Sequence, residues 1–243
     1  RVHLGVTFDW KLAPIYDVMC AQAWEHVTRN MAQKIAGKSR GEHLKRRHWQ
    51  RFAADVGLNA TPLIAGDVVV VGAAHRFAGA RGSSPVKGYV RAFDVRTGKR
   101  LWTFHTIPQK GEFGYDTWLN GSAEVNGNTG VLSQMSADLE LGLVYLPVEM
   151  PPADFFGGSR PGNTLFSESL VAVDIKTGKR KWHYQTIHHG LWDWDLSCAP
   201  ILFDMNVGGK TIKGVGSAGK NCFLYLFHRE TGEPINPIVE TAV

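Results

Sequence analysis

The sequence predicts an all-β fold of repeated sheets, set as blades of a ring behind a helical N-terminal extension. Three observations lead there. Residues 90 to 106, VRAFDVRTGKRLWTFHT, recur as residues 170 to 186, LVAVDIKTGKRKWHYQT, at an offset of 80. Asp94, Thr97, Gly98, Lys99, Arg100, Trp102 and Thr106 are thereby answered by Asp174, Thr177, Gly178, Lys179, Arg180, Trp182 and Thr186. A repeat of this length marks supersecondary units that bury a common face only when stacked. Short apolar runs such as VVVVG end at turn residues, as strands of a meander do. The hydrophobic period also changes along the chain, from helical spacing before residue 57 to strand-like runs from residue 60.

Each element follows from local chemistry. Ile15, Val18, Met19, Ala23, Val27, Met31 and Ile35 stand at helical spacing over residues 15 to 36, with Gly37 as a stop. The basic stretch GKSRGEHLKRRHWQRF, residues 37 to 52, follows. Residues 1–57 are therefore read as a basic helical extension and 58–243 as the propeller domain. In the latter, Gly66 and Asp67 turn the chain into Val68–Val71, Val90 to Val95 forms a further strand, and Leu101 to His105 follows the Thr97–Gly98–Lys99 turn. A second unit runs through SQMSADLELGLVYLPV, LVAVDI and KRKWHYQT. A third runs through APILFDMNVGGKTIKGVG, NCFLYLFHRETGEP and INPIVE. Trp102 and Trp182 occupy equivalent places after their turns and are expected between sheets, whereas Asn236 holds that place in the last unit, which is read as degenerate or cut short. Residues 107 to 130 and 149 to 167 are long connections expected to cover one end of the ring.

Charge and composition exclude several functions. The formal charge of +5 is N-terminal, since residues 1–57 carry 10 basic and 5 acidic side chains and residues 58–243 carry 17 of each. The body has no electrostatic footprint for a phosphate backbone, so no nucleic-acid partner is expected. Cys20, Cys198 and Cys222 form no CxxC, which argues against a disulfide framework or structural zinc. No apolar run approaches the roughly 20 residues needed to span a bilayer.

The segments GEFGYDTW, ADLELGLVYLPV, RPGNTLFSESLVAVDIKTGKRKWHY and IHHGLWDWDLSCAPILFD together resemble the glucose dehydrogenase branch of the quinoprotein alcohol dehydrogenases. The resemblance runs from about Asn59 to Val243 and implies an eight-bladed β-propeller, of which this chain holds about three to four blades. It also implies pyrroloquinoline quinone with calcium or magnesium near the axis, a sugar or alcohol substrate, and a respiratory quinone or other electron acceptor. A periplasmic location, or the periplasmic face of the inner membrane, comes with it.

By the same resemblance, Asp193, the first aspartate of the WDxD element, matches the general base. Lys220, 27 residues later, matches a lysine that contacts the quinone oxygens. Trp192 and Trp194 flank Asp193 and are expected to border the cofactor and exclude water. A base beside the substrate hydroxyl eases hydride departure from carbon, and a lysine stabilises negative charge developing on the quinone. The bland alternatives are a turn tied by Asp193 and Asp195 and an exposed hairpin lysine at 220. His188 and His189 are read as structural, since neighbours on a strand point oppositely. Glu149 stands where alcohol-oxidising relatives carry a cation-binding asparagine, in a motif that does not match; the metal ligands stay unknown. Arg160 is a candidate carboxylate contact, and Gly190 replaces an acidic residue often found after the paired histidines.

Two functional classes stay open. One is a quinoprotein dehydrogenase, or an inactive piece of one whose ring is incomplete. The other is a non-catalytic propeller-like scaffold or interaction protein, engaging an anionic surface through its basic extension. Exposed blade edges make self-association an expectation in either case.

Overall fold

The computed structural model describes residues 30–35, 38–40, 62–73, 86–153 and 155–240. Three antiparallel meanders follow one another. The first sheet is β3 (Leu63–Ala65), β4 (Val68–Val71), β5 (Val90–Asp94) and β6 (Arg100–Phe104). The second is β7 (Ser136–Asp138), β8 (Leu143–Val148), β9 (Ser169–Asp174) and β10 (Arg180–Gln185). The third is β11 (Ile201–Val207), β12 (Lys210–Ala218) and β13 (Leu224–His228), with a fourth strand reduced to the single bridge Phe227–Pro234. The first strands of the three sheets, β3, β7 and β11, lie beside one another, as the inner strands of successive propeller blades do.

The second sheet is covered on both sides, which explains its unbroken apolar runs. In β8, Val144, Leu146 and Val148 pack toward Val70, Val90 and Trp102 of the first sheet, while Leu143 and Tyr145 pack toward Val215, Tyr225 and Phe227 of the third. The same alternation divides Val171 and Val173 from Leu170 and Ala172 in β9. Side chains alternate faces along a strand, so burial of both faces demands apolar residues at every position.

The repeated phrase is an inter-sheet clasp. Asp94 Oδ1 accepts from Thr97 N at 2.7 Å and Thr97 Oγ1 at 2.8 Å, and Asp174 Oδ1 accepts from Thr177 N and Oγ1 at 2.9 and 2.8 Å. Each turn then closes through glycine at positive φ, 69° at Gly98 and 68° at Gly178. Trp102 reaches out of its own sheet, donating from Nε1 to the Ile175 carbonyl at 2.8 Å and lying over Gly178. Trp182 repeats the act one sheet on, donating to the Arg229 carbonyl at 3.1 Å and lying over Gly232. The expectation that both tryptophans pack between sheets holds.

One expectation is corrected. Asn30–Ile35, read as the end of a helix over 15 to 36, is strand β1, paired antiparallel with β2 (Lys38–Arg40). Only Ala36 and Gly37 separate the two strands in the chain. A two-residue, glycine-containing connection suits a hairpin as well as it suits a helix stop. The rest of the expected helix, residues 15–29 and 36, lies outside the described residues, as do residues 37 and 41–57.

The long connections at residues 107–130 and 149–167 bind each other at one end of the sheets. Leu119 N donates to Pro161 O at 2.9 Å, Thr164 N to Thr117 O at 3.1 Å, and Leu165 N to Thr117 Oγ1 at 2.9 Å. Trp118 is buried and donates from Nε1 to the Leu165 carbonyl. The first connection contains the one-turn helix α1 (Ser122–Val125). Among the described residues no helix is long and apolar enough to cross a membrane.

Candidate functional site

Asp193 and Asp195 lie in the connection between β10 and β11, and Lys220 in the tight turn between β12 and β13. That turn is tied to the connection through its backbone, for Lys220 N donates to the Asp195 carbonyl at 2.9 Å. The side chain then folds back: Lys220 Nζ donates to Asp193 Oδ2 at 2.7 Å and to Asp195 Oδ2 at 2.6 Å. The two residues singled out from the sequence thus converge. Asp193 holds φ at 58°, in the left-handed region that non-glycine residues avoid. Such a conformation persists where surrounding structure over-determines it, commonly at functional sites.

Asp195 is the anchor of this arrangement. It is buried, and its Oδ1 accepts from Met150 N at 2.7 Å, joining the connection to the end of β8. Burial raises the pKa of its carboxyl, against the opposing hydrogen bonds from Lys220 and Met150. For Lys220, burial works against the charged amine, yet the hydrogen bonds to Asp193 and Asp195 hold its pKa above the ordinary lysine value.

Two further carboxyl groups line the same region. Glu149, next to the last residue of β8, accepts from Gly130 N at 3.0 Å, and burial followed by the charge of Asp195 pushes its pKa up to about 8. Glu168, just before β9, is fully buried and is also pushed up to about 8, first by burial and then by Asp195, while Arg160 opposes the shift. Arg160 is itself fully buried and donates to the Gly190 carbonyl at 2.6 Å. Sequence reasoning missed Glu168, because its FSES context shows no motif; only burial reveals it.

The other expected residues are placed as follows. Trp192 is 54% exposed and meets Phe155 edge to face at 6.0 Å, and Trp194 is half-buried. His188 pairs with Glu240 at 2.7 Å, and the Nδ1 of His189 lies 2.9 Å from the Gly162 carbonyl, so the two histidines serve separate contacts. Among the described residues no three His, Cys, Asp or Glu side chains converge to hold a metal ion.

A family model for the PQQ glucose/ethanol/alcohol dehydrogenase β-propeller domain matches residues 39–243. The chain belongs to this family. Its match begins within the segment read from sequence as an N-terminal extension. Among its relatives, the quinate/shikimate dehydrogenase (quinone) of Acinetobacter baylyi is 33% identical over 188 residues, covering 76% of this chain and 23% of that protein. The quinohemoprotein alcohol dehydrogenase of Pseudomonas putida is 35% identical over 160 residues, covering 61% of this chain and 22% of that protein. The chain therefore spans about a quarter of the length of these curated relatives. Solved structures agree in fold. A Pseudomonas putida quinohemoprotein alcohol dehydrogenase matches with a TM-score of 0.63 at 32% identity, over 74% of this chain and 27% of that one. A europium-containing methanol dehydrogenase matches with a TM-score of 0.64 at 26% identity, over 74% and 33%.

Proposed function

We propose that this quinoprotein chain contributes the base and one cofactor-facing wall of a site that oxidises a sugar or alcohol hydroxyl with pyrroloquinoline quinone. The observation that carries this reading is the Lys220–Asp193 contact at 2.7 Å. Both side chains keep access to solvent, 36% for Lys220 and 40% for Asp193, as groups that meet a ligand require. An ammonium has three donors, and Lys220 commits two of them, to Asp193 and Asp195. The third suits a quinone oxygen, so this donor set fits the cofactor. Calcium or magnesium has no complete ligand set among the described residues and plays no part in the steps that follow.

When bound, pyrroloquinoline quinone would supply the acceptor for the electron pair and hydrogen leaving the carbinol carbon. Asp193 would take the hydroxyl proton, from a position its ion pair with Lys220 has already fixed. Lys220 would balance negative charge on the acceptor oxygens. Asp195, locked by Met150 N, would hold Lys220 in register between the two roles. Trp192 and Trp194 would screen the ion pair from water once a ligand covers them. The electrons would pass on to a respiratory quinone or another acceptor, in the periplasm or at the periplasmic face of the inner membrane.

The second reading, a non-catalytic scaffold or a self-associating piece, is supported by apolar side chains bared around the third sheet: Ile201 is 62% and Leu224 58% exposed. Reconstitution of the purified chain with pyrroloquinoline quinone and calcium separates the two. A stoichiometric complex with dye-linked turnover is expected, and Asp193→Asn should keep the complex while lowering turnover by about 100-fold or more. Failure to form any defined complex would reject the enzyme reading and leave the scaffold.

A further inference from the structure

Glu168 is fully buried, yet neither carboxylate oxygen has a hydrogen-bond partner. The Gly190 N–H faces the carboxylate closely enough to favour its charge, but without hydrogen-bond geometry. Burial of a carboxyl group in this state is costly. One feature of the sequence makes room for it: a Cβ built on Gly190 would collide with both carboxylate oxygens of Glu168. The glutamate therefore occupies the space that any side chain at residue 190 would need.

The surroundings link this contact to the base. Thr186, at the start of the connection that carries Asp193, donates from N at 2.9 Å and from Oγ1 at 2.7 Å to the Glu168 carbonyl. Arg160 grips the other side of Gly190 through its carbonyl, at 2.6 Å. Glu168, His189 and Asp193 all hold positive φ, at 45°, 52° and 58°. A strained segment of this kind stays in place only if its neighbours fix it.

We propose that Glu168, from the start of β9, fills with its carboxyl group the space that a side chain at position 190 would need, and that it acts as a positioning residue for the segment from His189 to Asp193. Its catalytic meaning rests on the reading of Asp193 as the base; the exchange of one carboxyl group between positions 168 and 190 stands on packing alone. It also gives the glycine at 190 a physical reason. The charged and titratable groups that face Glu168 are Arg160, Asp195 and Asp193, with Tyr225 on β13.

The test is a cycle of variants of this chain, read by thermal unfolding across pH and by tryptophan-fluorescence titration with pyrroloquinoline quinone. Gly190→Asp alone should lower the unfolding midpoint, because two side chains then claim one space. Adding Glu168→Ser should recover most of that loss, returning one carboxyl group to the site. Glu168→Ser combined with Gly190→Ala fills the space without an acid. This acid-free double variant should show a shallower fall in stability between about pH 4.5 and 8 than the parent and the combination of Glu168→Ser with Gly190→Asp, keeping the share due to Glu149, and should bind the quinone about tenfold more weakly. A Gly190→Asp variant as stable as the parent, or one that Glu168→Ser fails to rescue, would overturn the exchange. Equal pH profiles and quinone affinities for the two double variants would overturn the positioning role. A parent chain that binds no quinone sinks the proposed function, while the unfolding cycle and its pH profile still decide this inference.

Discussion

The ammonium of Lys220 sits 2.6 Å from Oδ2 of Asp195, a carboxylate that is 6% exposed and bonded on its other oxygen to the backbone of Met150. Lys220 is therefore fastened to the body of the second sheet by Asp195, and Asp193 is the outer, more accessible partner of the same amine.

Asp195→Ala should accordingly disturb more than one contact. The Met150 N–H loses its acceptor in a buried setting, which costs about 1–3 kcal/mol, and Lys220 loses its inner tether. Urea unfolding is expected to register that loss, and quinone titration a weaker complex. Asp195→Asn, which keeps an oxygen toward Met150, should be milder.

Stability should fall as the pH rises from about 4.5 to 8. Glu149 and Glu168 have folded-state pKa values raised from 4.5 to about 8. The folded chain therefore holds protons that the unfolded chain has released, and the stabilisation is full below about pH 4.5 and lost as pH rises through about 8. Glu149→Gln should flatten this decline, as measured by unfolding midpoints from pH 5 to 9. An unchanged slope would mean that Glu149 ionises normally.

The clasp predicts a graded series at one tryptophan. Trp182→Phe keeps much of the ring packing and loses the bond to Arg229 O, at a cost of about 1 kcal/mol. Trp182→Ala empties the space between the second and third sheets and should cost about 3–5 kcal/mol. Denaturant unfolding distinguishes the two, and equal effects would deny the packing role.

Glycine positions give an internal control. Gly66 and Gly178 both hold positive φ, at 62° and 68°, but a Cβ at Gly66 meets nothing within 4 Å, whereas one at Gly178 lies 2.5 Å from the Trp102 ring. Gly66→Ala should cost about 1–2 kcal/mol from backbone strain. Gly178→Ala should cost about 2–4 kcal/mol, since overpacking adds to it. Thermal melts of the two variants side by side test the difference.

The repeat was readable in sequence because its chemistry is local. An aspartate that closes its own turn onto a threonine three residues on, followed by glycine at positive φ, must recur wherever the turn recurs. Trp102 and Trp182 inherit their place from that turn. The approach of Lys220 to Asp193 was legible only through the resemblance, since 27 residues of spacing say nothing about distance. Asp195 and Glu168 were obscure for another reason: their importance comes from burial beneath connections that have no periodicity. Asn30–Ile35 misled because apolar residues at helical spacing also alternate well enough to pair as a short strand, and Gly37 suits both outcomes.

The indoles give the stack a direction. Trp102 leans on the turn of the sheet after it, and Trp182 on the turn after that, while Asn236 in the final unit has no ring to extend. Removing the third sheet would strand Trp182 yet leave Trp102 seated, so shortening the chain from its C-terminal side should release it one latch at a time.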